Sequence, residues 1–123
     1  MNIDMGNIEK GIKFFNEGNF FEAHEIWEDQ WRGIEKSPEK YFIQGLIMTA
    51  VALHHYKRKN YTGTLRLLEK GIKLLRESKV PEIKLDMENF LREIDLFQEK
   101  FKSTRECITA REFPKIMLLS TLF

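Results

Sequence analysis

Cysteine is almost missing from this sequence: Cys107 is the one copy among 123 residues. A lone thiol cannot close an internal disulfide, so the fold must be held by its core, and the usage fits a reducing cytoplasm. A surplus of either charge is missing too. Twenty basic side chains face nineteen acidic ones, so no global field gathers nucleic acid or an anionic membrane, and neither is expected as a partner. The opening residues, MNIDMGNIEKG, have no basic stretch leading into an apolar one, so no secretory signal is expected. The longest apolar run, YFIQGLIMTAVAL, falls short of the roughly 20 residues that span a bilayer. Glycine-rich phosphate loops and serine-centred nucleophile motifs are also absent.

What is there is helical. Hydrophobic residues make up 42% and charged residues 32% of the chain, a balance suited to an amphipathic helical protein with one core. Ile8, Ile12 and Phe15 share a helical stripe, with Gly18 as a stop, which predicts a first helix over about 5–17. Asn19, followed three residues on by Glu22, reads as a capping box for a second helix ending near Arg32. Ser37 and Pro38 open a third helix over about 38–58. It is apolar nearly all round through Ile43, Leu46, Ile47, Ala50, Val51 and Leu53, so it is expected at the centre of the bundle. Asn60 caps a fourth helix over about 61–78, with Leu65, Leu68, Ile72 and Leu75 as its stripe. Pro81 breaks the pattern. Asp86 starts a fifth, carrying Met87, Phe90, Leu91, Ile94, Phe97 and Phe101. The segment 103–123 is ambiguous. Its end, IMLLSTLF, is too apolar to hang free, so it is expected to dock on the bundle or on a second chain.

The stretch FNEGNFFEAHEIWE is echoed by YKRKNYTGTLRLLE, with Asn19 matching Asn60, Phe20 matching Tyr61 and Glu28 matching Glu69. Each copy is a helix, a short turn, an asparagine, an aromatic residue and a second helix. The expectation is therefore an all-α, single-domain bundle over 1–123, with five to six helices built from two hairpins. His24 matches Leu65 in this echo, so its position tolerates an apolar side chain, and the architecture does not require a histidine there.

The candidate site lies in that first copy. At about 100° per residue, His24 and Glu28 sit side by side at the border of a face formed by Phe20, Trp27 and Trp31. Glu25 and Asp29 turn toward solvent. On the third helix Gln44, Met48, Val51 and His55 share one face, while His54 shares the face of Ile43 and Ile47. Antiparallel hairpins would bring one of these histidines toward the second helix. His24, Glu28 and His55 then make a two-nitrogen, one-carboxylate set of the kind that zinc and non-haem iron accept, with Glu25 as a candidate catalytic base in an outer shell. The zincin motif is not present, because Glu28 stands where its second histidine would be. The competing reading is a polar seam of His24, Glu28, Gln44, His55 and Trp31 whose buried polar atoms satisfy one another. A metal-free acid–base pocket is a third. Arg66, Lys70, Lys73 and Arg76 form a basic stripe, read as a solvated helix face.

The run FNEGNFFEAHEIWEDQWRG, followed by QGLIMTAVALHHYKRKNYTGTLRLLEKG, resembles a small bacterial and archaeal family known as domain of unknown function 309. The resemblance runs from about Phe14 to Leu75 and weakly over the fifth helix. Its motif is matched by Phe15, Asn16, Gly18, Phe20, Phe21, Glu22, Ala23, His24, Glu25, Glu28 and Trp31, then by Gln44 to Ile47, His55, Asn60 and Gly63. The family often has a polar residue where this chain has Met48, and a small alanine where it has Thr64. The resemblance implies an all-helical bundle and a site location, but no reaction. Two functions follow as expectations: a binding or scaffold module that recognises a protein partner or its own copy, or a metal-dependent enzyme such as a hydrolase, holding a divalent transition metal on His24, Glu28 and His55.

Overall fold

The computed structural model describes residues 3–80, 83–105 and 108–119. Five helices follow one another: α1 (Met5–Asn16), α2 (Phe20–Arg32), α3 (Pro38–Lys57), α4 (Tyr61–Glu77) and α5 (Met87–Thr104). A short 3-10 turn, Ala110–Glu112, comes after them. The one strand-like feature among the described residues is an antiparallel bridge between Leu85 and Leu118. The chain is thus an all-helical bundle. α1 packs on α2, α2 on α3, and α3 on α4, so α3 is central, as its apolar sequence predicts.

The ends of the helices are set by local chemistry. Gly18 adopts φ of 84°, a left-handed conformation that glycine takes without strain and that turns the chain out of α1. The Ser37 hydroxyl accepts from Lys40 N, Asn60 Oδ1 from Gly63 N and Asp86 Oδ1 from Asn89 N, so three of the expected caps are in place. The fourth is not. Asn19 precedes α2 but its side chain makes no capping hydrogen bond, so the capping box with Glu22 is absent.

The α4 stripe is rotated from its expected centre. Thr64, Leu68, Gly71 and Leu75 are buried, while Leu65 and Ile72 are only half-buried. Small residues explain the rotation. A β-carbon on Gly71 would lie 2.7 Å from Thr49 Oγ1 and 3.2 Å from Gly45 O, and one on Gly45 would lie 2.8 Å from Leu75 Cγ. The two backbones meet where side chains are smallest. α1 approaches α2 in the same way at Gly11, where a β-carbon would fall 2.1 Å from the indole nitrogen of the fully buried Trp27.

α5 closes the opposite side of the bundle. Phe90, Ile94, Phe97 and Phe101 are buried. Phe90 meets Phe15 edge-on with centroids 5.7 Å apart, and Phe97 meets Tyr56 at 5.4 Å. The tail docks as expected at its first apolar residue. Ile116 is buried, and Asn16 grips its backbone twice at 2.8 Å, donating to Ile116 O and accepting from Ile116 N. Met117, Leu118 and Leu119 stay about half exposed. Pro81, Cys107, Leu122 and Phe123 lie outside the described residues. Among the described residues, no helix is long and apolar enough to cross a membrane.

Candidate functional site

The site is one side of the α2–α3–α4 layer, facing away from α5. The α3 residues Gln44, Ile47, Met48, Val51, His54 and His55 are all half-buried. Buried residues such as Phe42, Leu46, Thr49, Leu53 and Tyr56 occupy the rest of its circumference. So α3 is not enclosed all round; one stripe remains open, and the polar residues of the sequence motif lie on it.

His24 and Glu28 meet as their spacing predicts. His24 Nε2 lies 3.0 Å from Glu28 Oε2, and Nδ1 lies 3.2 Å from the carbonyl oxygen of Phe21. Both ring nitrogens face oxygen acceptors, so the ring acts as a hydrogen-bond donor here. Arg32 holds the other oxygen of Glu28 and also reaches Asp29 at 3.3 Å. The side chains of His24 and Glu28 are 20% and 31% exposed, so this contact is half-wet, not sealed. Trp31, one turn on, carries the Lys40 ammonium 4.4 Å above its ring. Its buried indole N–H has no hydrogen-bond partner among the described residues. Glu25 is exposed and makes no ion pair among the described residues.

The histidine that approaches α2 is His54. Phe21 sits between two imidazoles, 5.4 Å from His24 and 5.5 Å from His54, and is itself 47% exposed. His55 turns the other way, toward α4. Since Asn60 Oδ1 accepts from Gly63 N, its amide group presents N–H to His55 Nδ1 at 3.2 Å. His55 Nδ1 is then an acceptor, and its hydrogen sits on Nε2. Among the described residues, no group of three or more histidine, cysteine, aspartate or glutamate side chains is placed to hold a metal ion. His24, Glu28 and His55 are therefore not a ready-made ligand set: His24 meets Glu28 on α2, while His55 turns away from them toward Asn60. Gln44 lies half-buried on the same stripe, and its amide makes no hydrogen bond among the described residues.

His54 is held below its ordinary pKa, first by burial and then by electrostatic interaction with Arg58, His55, His24 and Lys57. His54 and Phe21 were absent from the sequence-derived site. The signal for His54 was its helical phase beside Ile43 and Ile47, the side of α3 that meets α2. A cleft of about 650 Å³ lies elsewhere, between α5 and the C-terminal turn, lined by Leu96, Phe97, Ile108 and Phe113 among others. It contains none of the expected site residues.

The fold and site together define a small bundle of stacked helical hairpins with a half-open histidine face. The model of a family described as "Domain of unknown function (DUF309)" matches residues 8–67, which takes in α1, α2, α3 and the start of α4. That segment belongs to the DUF309 family, as its motifs led us to expect. The chain is similar to "Uncharacterized protein YpuF" of Bacillus subtilis (strain 168), with 35% identity over 68 residues, covering 55% of this chain and 39% of that protein. It is also similar to an "Uncharacterized protein" of Aquifex aeolicus (strain VF5), with 47% identity over 47 residues, covering 37% of this chain and 14% of that one. The matched segment thus spans well under half the length of either relative.

Proposed function

We propose that the chain is a helical interaction module whose open α2–α3–α4 face docks a polypeptide. The observation that carries this reading is the half-buried stripe of α3, flanked by His24 and the exposed Phe21. It combines apolar side chains with hydrogen-bonding tips, the mixture found at recognition surfaces. The turn of His55 toward Asn60, away from the His24–Glu28 contact, favours this reading over the metal-dependent enzyme. The occurrence of the matched segment within longer relatives fits a module. The lone cysteine fits work in a reducing compartment such as the cytoplasm.

A photo-crosslinking residue placed at Met48 tests it in living cells, with Glu9, exposed on α1, as the control site. Discrete protein adducts from position 48 and none from position 9 are expected. Equal yields from both, or none from 48, would overturn the reading. The same purified protein is assayed for metal: about one equivalent of a transition metal, lost in His24→Ala, would replace the docking module with the metal-dependent enzyme.

A further inference from the structure

The open stripe has an internal order. Tyr41, Gln44, Met48, Val51 and His55 are each half-buried, and their spacing alternates between three and four residues. That is the seven-residue seam along which two helices pack, with side chains of one filling gaps of the other. Over so short a length the seam drifts only about 20° per seven residues, so it stays on one side of α3.

The two edges of the face carry opposite charge. On α2, Glu25 is exposed and unpaired among the described residues, next to Glu28. On α4, Lys70 is exposed and also without an ion pair among the described residues, while Arg66 turns toward Leu65, Glu69 and Arg105. α3 runs between these edges, packed on α2 at one side and α4 at the other. A twofold axis parallel to α3 would lay α2 of one copy over α4 of the other, twice, matching acid to base. An in-plane axis perpendicular to α3 would stack α2 on α2 and set like charges together. Charge therefore selects the parallel arrangement, in which α3 packs on its own copy. Three helices side by side, each about 10 Å across, with α2 rising about 20 Å, offer a face of roughly 30 by 20 Å. That is the order of the ~800 Å² that one partner brings to a standard interface.

We propose that the occupant of this face is a second copy of the chain, in a parallel twofold dimer seamed by Tyr41, Gln44, Met48, Val51 and His55, with Glu25 of each copy opposite Lys70 of the other. The proposal rests on the docking reading above and names its occupant. The interface is isologous and closes on itself, so assembly stops at two.

The test is sedimentation equilibrium of the full chain from about 1 to 200 µM at low salt, where rim charges count most. The expected mass is twice the 14.7 kDa of the chain. Val51→Glu should leave a monomer with unchanged helicity. Glu25→Lys and Lys70→Glu should each weaken dimerisation by about tenfold or more, and their combination should restore much of it. A rim that mattered only to folding would show no such rescue. In a Cys107→Ser background, Val51→Cys should oxidise readily to a disulfide-linked dimer, because a parallel seam sets position 51 against itself. A monomer at 200 µM, or a dimer indifferent to both Val51 variants, would overturn the proposal. If the monomer persists while position 48 still crosslinks to other proteins, the docking reading stands with a different occupant. If both experiments are null, both readings fall.

Discussion

Replacing Gly11 with alanine should cost stability, although alanine is the better helix former. Gly11 lies inside α1, where the exchange alone would gain about 1 kcal/mol. Against this, the new methyl would be placed 2.1, 2.5 and 2.7 Å from three atoms of the Trp27 indole. That ring is fully buried and donates to Ile8 O at 3.2 Å. It packs against Phe15 with centroids 6.0 Å apart, so it has no free direction of retreat. Overpacking of this kind costs about 1–3 kcal/mol and sometimes more, and loss of the indole hydrogen bond adds about 1 kcal/mol. The net is a loss of about 1–3 kcal/mol, or roughly 4–15 °C in Tm for a chain of this size. Thermal unfolding followed by circular dichroism reads it directly. Gly33→Ala is the control, since its β-carbon would meet nothing closer than 3.7 Å and should be neutral or slightly stabilising. Trp27→Phe should be costly by itself yet relieve part of the Gly11→Ala defect, so the two losses combine to less than their sum. A Gly11→Ala variant that melts at or above the wild-type temperature would refute the packing argument.

Other expectations concern the site and the tail. His24→Ala and Glu28→Ala should each lose no more than about 1 kcal/mol, given their partial exposure. The double variant should lose less than the sum in urea titrations, because each single change strips the other of its partner. His54, held low by burial and by electrostatic interaction with its neighbours, binds its proton less readily when folded. Stability should therefore fall as pH drops below the ordinary value of 6.5, and His54→Gln should flatten that limb between pH 7.5 and 5.5. Glu112 is pulled down to about 2 by its ion pair with Lys100 and by hydrogen bonds from Thr109. Its contribution is present above the usual carboxylate value of 4.5 and lost as pH falls toward 2; Glu112→Gln should remove that acid-dependent part from a denaturation series. Asn16→Ala deletes both hydrogen bonds to the Ile116 backbone, and faster amide exchange at Ile116 should report release of the tail.

Much of the architecture was legible because it is written in periodicity. The five helices follow from apolar spacing and from caps such as Ser37, Asn60 and Asp86, all of which act locally. The missing cap at Asn19 shows the limit of that reasoning: the residue type permits a bond that the geometry at this position does not make. The buried stripe of α4 lies one step out of phase with its hydrophobic spacing because Gly71 and Thr64 count little on a hydrophobic scale. Their smallness is nevertheless what lets α3 come close. In the site, the adjacency of His24 and Glu28 followed from phase within a single helix. The choice between His54 and His55 did not, because it depends on which way α3 turns toward its two neighbours. Asn60, read as a cap, also fixes the His55 ring, and no one-helix pattern contains that coupling.

The place of α5 bears on how the chain matures. α1 through α4 join neighbours in sequence, and such local contacts form quickly. Yet Phe15 is covered by Phe90, and Tyr56 by Phe97, Phe101 and Phe113. On the ribosome the first four helices emerge before this aromatic cover, which is made only later. The family match ends at residue 67, before any of that shelter begins. In this chain the matched segment is thus a half-core that depends on later residues for its cover.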